Sequence, residues 1–161
     1  TMSMFENNQY RWRETYFVLF PSKNRPTLKQ IHKAITGLNQ HLTLTNLVAN
    51  SQGRLESLTV LAPEDFSALD ISYLSGEEVK EQVVALAEEV APTCCCEDET
   101  QRLELLRKCD ARLDILHFEQ IVDTDEDGDE TFDPSSLLLV LEKLAELTGG
   151  ISVDPQGGAM L

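Results

Sequence analysis

No apolar run in this 161-residue chain approaches the roughly 20 residues needed to span a bilayer. The first eight residues, Thr-Met-Ser-Met-Phe-Glu-Asn-Asn, hold neither a basic nor an apolar stretch. No secretory signal is visible there, and the expected location is the cytoplasm. Catalytic signatures are missing as well: HExxH, GxSxG and GxGxxG do not occur. The three histidines, His32, His41 and His117, are scattered. Cysteine is sparse and crowded: Cys94, Cys95 and Cys96 are consecutive, and Cys109 stands alone. That crowding lacks the C-x₂-C spacing that closes a zinc chelate, so these read as free thiols around a loop. Together these absences lean away from an enzyme and toward a non-catalytic binding or regulatory module.

Positive charge is the other scarcity. Thirteen Lys and Arg face 28 Asp and Glu, for a net charge of −15. The distribution is uneven. Residues 1–62 carry seven Lys/Arg against three Glu, a balance of +4, and residues 63–161 carry six against 25 acids, a balance of −19. One basic patch on an acidic body is expected. Such a field repels polyanions, so nucleic acid is not an expected partner. A protein partner, or a homodimer through an edge strand or sheet face, is expected in its place.

Against this background the chain repeats one phrase: a β-rich run, a polar loop, then an amphipathic helix. Thr15–Pro21 leads through a basic loop into Leu28–Leu38, and Leu113–Phe118 leads through an acidic loop into Leu137–Leu147. Thr27 and Gln30 have capping-box spacing, and Leu28, Ile31, Ile35 and Leu38 fall on one helical face. Leu42–Val48 and Leu55–Leu61 read as strands joined by the turn Asn50-Ser51-Gln52-Gly53. Leu69, Ile71 and Tyr73 alternate with polar residues in a short extended segment. Ser75 and Glu78 suggest a second capping box, ahead of the stripe Val79, Val83, Leu86, Ala87 and Val90. Pro92 stops that helix, residues 92–100 read as a loop, and Gln101–Lys108 as a short helix. A β-run over 112–121, a helix from Ser135 after Asp133-Pro134, a Gly149-Gly150 stop and a strand at Ile151–Val153 complete the chain.

This order predicts one α+β domain over residues 1–161. It comprises a β-α-β-β-α core at 10–91, a Cys-containing acidic connection at 92–110, and a β-α-β unit at 111–161 that completes the sheet. The element order matches the ferredoxin-like βαββαβ sandwich, with an additional C-terminal helix and short strand. That is a likeness of architecture and carries no function with it.

Two loops hold candidate chemistry. Asp123-Thr124-Asp125-Glu126-Asp127-Gly128-Asp129 places oxygen ligands at alternate positions with Gly at the sixth, as a calcium loop requires. It departs from an EF-hand at position eight (Glu130) and position twelve (Pro134), and a strand precedes it. A calcium site of another kind would use Asp123, Asp125, Asp127 and Asp133; the alternative is a solvated acidic turn, with no cofactor at all. The second loop, Pro21-Ser22-Lys23-Asn24-Arg25-Pro26-Thr27, joins a strand to a helix N-terminus, where free N–H groups and the helix dipole favour anions. Ser22, Lys23, Arg25, Thr27 and Lys29 are the candidate ligands of a small anion gripped by an enzyme or sensor. The alternative is an ordinary polar loop whose cations pair with the acidic remainder. His117 reads as a solvated or hydrogen-bonded strand residue between Leu116 and Phe118, which point to the core.

Overall fold

The computed structural model describes residues 10–38, 41–63, 66–120, 135–154 and 159–160. Seven strands form one sheet: β1 (Tyr10–Phe20), β2 (Thr43–Ala49), β3 (Leu55–Ala62), β4 (Ser67–Ser75), β5 (Ala111–Gln120), β6 (Ile151–Asp154) and β7 (Ala159–Met160). Among the described residues four helices accompany them: α1 (Leu28–Thr36), α2 (Glu77–Val90), α3 (Glu97–Arg107) and α4 (Ser135–Thr148). Among the described residues, no helix is long and apolar enough to cross a membrane.

The chain is thus mixed α+β, but the ferredoxin-like plan needs correction. The strand order is β2-β3-β4-β5-β1-β6-β7, and every ladder is antiparallel. A ferredoxin-like sheet is antiparallel too, each β-α-β unit being split by a single intervening strand, so the difference lies in the strand order. Here β1 and β2 run the same way, but β3, β4 and β5 lie between them. Likewise β5 and β6 run the same way on either side of β1. Between β4 and β5 the chain makes two helices, α2 out and α3 back. An even number of passes returns it antiparallel to the strand it left.

Helices lie on both faces of the sheet, α1 and α4 on one and α2 and α3 on the β1–β6 part of the other, whereas a ferredoxin-like sandwich carries them on one. Val18 and Phe20 pack with Leu69, Ile71, Leu113 and Ile115 under α1 (Ile31, Ile35) and α4 (Val140, Leu141, Leu144). The intervening Leu19 points the other way, to Ile151, Val153, α2 (Val79, Val83, Leu86) and α3 (Leu103, Leu106). This explains why Val18-Leu19-Phe20 is apolar without alternation, since a strand covered on both sides has no water-facing positions. In β5, Leu113 and Ile115 alternate with Arg112 and Asp114, which bond each other at 2.6 Å on the α2 side. β1 and β5 are partners along ten pairs, Val18 opposite Leu113 among them.

The capping box of α1 is present: Gln30 N donates to Thr27 Oγ1 at 3.1 Å and Thr27 N to Gln30 Oε1 at 2.9 Å. That of α2 is not. Ser75 is the last residue of β4, and Gly76, at φ 123°, is the N-cap. A side chain would be strained there, so glycine makes the sharp exit from the sheet. α3 begins at Glu97, inside the stretch read as loop, because Glu97, Asp98 and Glu99 suit the positive end of a helix dipole. Gly149 takes φ 64° after α4, and at Gly150 a Cβ would overlap the Leu19 carbonyl and lie 2.8 Å from Phe20 Cβ.

Candidate anion-binding cleft

The cleft forms where three connections meet at one end of the sheet. β1 ends at Phe20, and Pro21 starts a 3₁₀ turn over Ser22–Asn24. α3 ends at Arg107, with Lys108 as its C-cap, and two residues lead into β5. Lys80 stands in the first turn of α2. Asp110 ties the first two segments together. Its backbone N donates to Phe20 O at 3.2 Å, and its carboxylate accepts from Ser22 N at 2.6 Å and Ser22 Oγ at 2.8 Å. The resulting cleft, about 460 Å³, is lined by Pro21, Ser22, Lys23, Lys80, Arg107, Lys108, Cys109 and Asp110.

Four cations and one acid therefore share a concave site on a chain of net charge −15. The acid is already held by Ser22. Lys80 lies 3.5 Å from Glu77 across an exposed turn, a contact of little energetic weight. Among the described residues, Lys23, Arg107 and Lys108 form no ion pair. Arg107 and Lys108 complement the negative end of the α3 dipole, which accounts for cations at a helix C-terminus. It does not account for Lys23 and Lys80 converging from other elements. The thiol in the lining is inert: burial, and then the nearby Asp110 charge, push Cys109 up to about 12.

Of the five residues named from sequence, the structure brings Ser22 and Lys23 to this cleft and places the other three elsewhere. Arg25 turns to the α1 side, where Nε and Nη2 donate to Leu55 O at 3.0 and 2.7 Å and the guanidinium stacks 3.8 Å over the Tyr73 ring. Thr27 is committed to capping α1. Lys29 is exposed on that helix. The cleft residues that sequence reasoning missed are Lys80, Arg107, Lys108 and Asp110. One signal was available: Arg107-Lys108 is the only adjacent cationic pair in the chain.

Asp123, Asp125, Asp127 and Asp133 lie outside the described residues. Among the described residues, no cluster of three His, Cys, Asp or Glu could hold a metal ion. Cys94, Cys95, Cys96 and Cys109 are free thiols. Cys95 N, just ahead of the α3 N-cap Cys96, donates to Glu99 Oε2 at 3.0 Å, and the same carboxylate, chief among several causes, raises the Cys95 pKa.

A second polar group sits under the α1/α4 face at the opposite end of β5. His117 is completely buried, so of the two expected states, solvated or hydrogen-bonded, the first is corrected; of its neighbours Phe118 is buried as expected and Leu116 only half-buried. His117 Nδ1 lies 3.4 Å from Glu14 Oε1, its cross-strand partner. Burial holds the imidazole below its usual pKa, and the Glu14 contact only partly offsets this. Burial and a hydrogen bond to Glu14 raise Tyr16 to about 12. A bulge between Trp12 and Glu14 brings both Arg11 and Arg13 to Glu119, Arg13 at 2.7 Å. Burial would raise the Glu119 pKa, but the two guanidinium bonds outweigh it and hold it low.

Comparison with models of known protein families, with curated proteins and with solved structures gives no match.

Proposed function

We propose that this protein is a non-catalytic binding module whose ligand is a small anion, held at the junction of the β1–α1 loop with α3. The observation that carries this reading is the convergence of Lys23, Lys80, Arg107 and Lys108 on one cleft of an otherwise acidic molecule. Four cations around one concave surface add their fields at a shared point, so a single anion there is drawn by all of them. The lining favours holding over reacting, because its thiol stays protonated and the Ser22 hydroxyl already donates to Asp110. Calorimetric titration with inorganic phosphate at low ionic strength tests the proposal. Saturable one-site binding, weakened at least tenfold by Lys23→Ala with Arg107→Ala, is expected. Absence of binding, or binding unchanged in the double variant, overturns it.

Self-association is a second reading, carried by strand β2. It forms one edge of the sheet, none of its seven residues is charged, and Leu47 and Val48 are exposed. Edge strands commonly carry charge against such pairing. The bulge around Asn46, at φ 54°, confines regular pairing to the Thr43–Thr45 end. Sedimentation over a wide concentration range should show a dimer that Thr45→Lys disperses; a monomer throughout refutes it.

A further inference from the structure

A second, smaller cavity adjoins the cationic cleft. It measures about 260 Å³ and is lined by Val83, Val84, Ala87, Glu88 and Arg107, between α2 and α3. Arg107 lines both cavities. So does one stripe of α2. Lys80 stands at the cationic cleft, and Val83, Val84 and Ala87 follow at the i+3, i+4 and i+7 positions, which share a helical face. Val83 and Ala87 belong to the core and form the floor, whereas Val84 is 58% exposed. A large apolar side chain so exposed on a helix this rich in Glu is a departure from the rest of its outer surface. Glu88 marks the far rim, and Glu77 lies beside Lys80.

We infer that the ligand is a free amphiphilic anion, with its charged head among Lys23, Arg107 and Lys108 and a short apolar chain lying along Val83, Val84 and Ala87. This rests on the anion reading above and adds the ligand class. From Lys80 to Ala87 the helix rises about 10 Å, room for a chain of about six carbons. The groove is too short for a membrane-embedded acyl chain, and the acidic surface around it opposes an anionic bilayer, so the ligand is monomeric. Arg107 serves both parts. Its guanidinium meets the head while its methylene stem walls the apolar groove, as long cationic side chains do at such boundaries.

Calorimetry with inorganic phosphate and with methyl, butyl and hexyl phosphate, all below micelle formation, tests this on the full chain. Affinity should tighten by up to roughly fourfold per methylene from methyl to hexyl. Val84→Asn should flatten that trend while inorganic phosphate binds as before, and Val84→Leu should steepen it. Phosphate binding without chain-length dependence overturns the amphiphile and leaves the anion site standing. No binding by any of the four overturns both. Binding to phosphatidylglycerol vesicles without binding to hexyl phosphate also overturns the inference.

Discussion

Ser22 and Asp110, 88 residues apart, are joined twice: the amide N–H of Ser22 meets one carboxylate oxygen at 2.6 Å and its hydroxyl meets the other at 2.8 Å. The strand-to-helix loop was expected to attract an anion, and it grips one from its own chain. The pairing fixes the loop against the α3–β5 junction and leaves the four neighbouring cations facing the cleft.

Asp110→Asn should therefore act in two directions. It removes a charge-assisted pairing, at a cost of about 1–3 kcal/mol in denaturant unfolding. It also removes the one acid of the lining, so phosphate should bind more tightly to the folded variant. Weaker binding in a variant that still folds would show that the loop position matters more than the charge.

Arg25 and Arg107 separate the linear reading from the folded one. Arg25→Ala breaks the bonds to Leu55 O and the stack on Tyr73, so stability should fall by about 1–3 kcal/mol with phosphate affinity unchanged. Arg107→Ala should do the reverse: little change in the melting curve and a marked loss of affinity. Equal losses of affinity from both variants would contradict the division of the loop into two sides.

The buried imidazole gives a pH signature. His117 has a folded pKa below the unfolded value of 6.5, so at low pH the unfolded chain takes up a proton that the folded chain resists. The stability present above pH 6.5 is then lost as pH falls below it toward the folded pKa. Chemical denaturation at pH 7.5 and pH 5 should show a smaller drop for His117→Gln than for the parent chain, whatever the absolute cost of the substitution. An identical drop would mean that the carboxylates alone set the acid limb.

Gly150→Ala places a methyl against the Leu19 carbonyl and Phe20. Either α4 or the end of β1 must shift, at a cost of about 1–3 kcal/mol. A melting temperature within a degree of the parent would show that this corner yields freely.

Local signals in the chain were legible where one element decides them. The Thr27–Gln30 cap, the Asn50–Gly53 turn and the apolar stripes of α1 and α2 each follow from neighbours a few residues away. The like aromatic and branched runs Tyr16–Phe20 and Leu113–Phe118 point to neighbouring strands, and they do pair as β1 and β5; the order of the other strands was not legible, because nothing local says that three strands separate β1 from β2. The same gap hid most of the cleft. Ser22 and Lys23 could be found from their loop, but Lys80, Arg107, Lys108 and Asp110 join them only once α2 and α3 have carried the chain back to the end of β1. The run Val18-Leu19-Phe20 did hold unread information, since its lack of alternation signals helices on both faces. His117 was misplaced for another reason: the alternation of Leu113 and Ile115 with Arg112 and Asp114 puts residue 117 on the α1/α4 face, and the apolar neighbours Leu116 and Phe118 mask it.

Amide chemical-shift mapping during phosphate titration tests the central claim most directly, because it reports the place of binding along with its strength. Saturable shifts concentrated at Ser22, Lys23, Arg107 and Lys108, with Thr27 and Lys29 unmoved, are the expected result. Shifts centred on the α1 N-terminus, or small shifts spread over every exposed cation without saturation, would contradict the account.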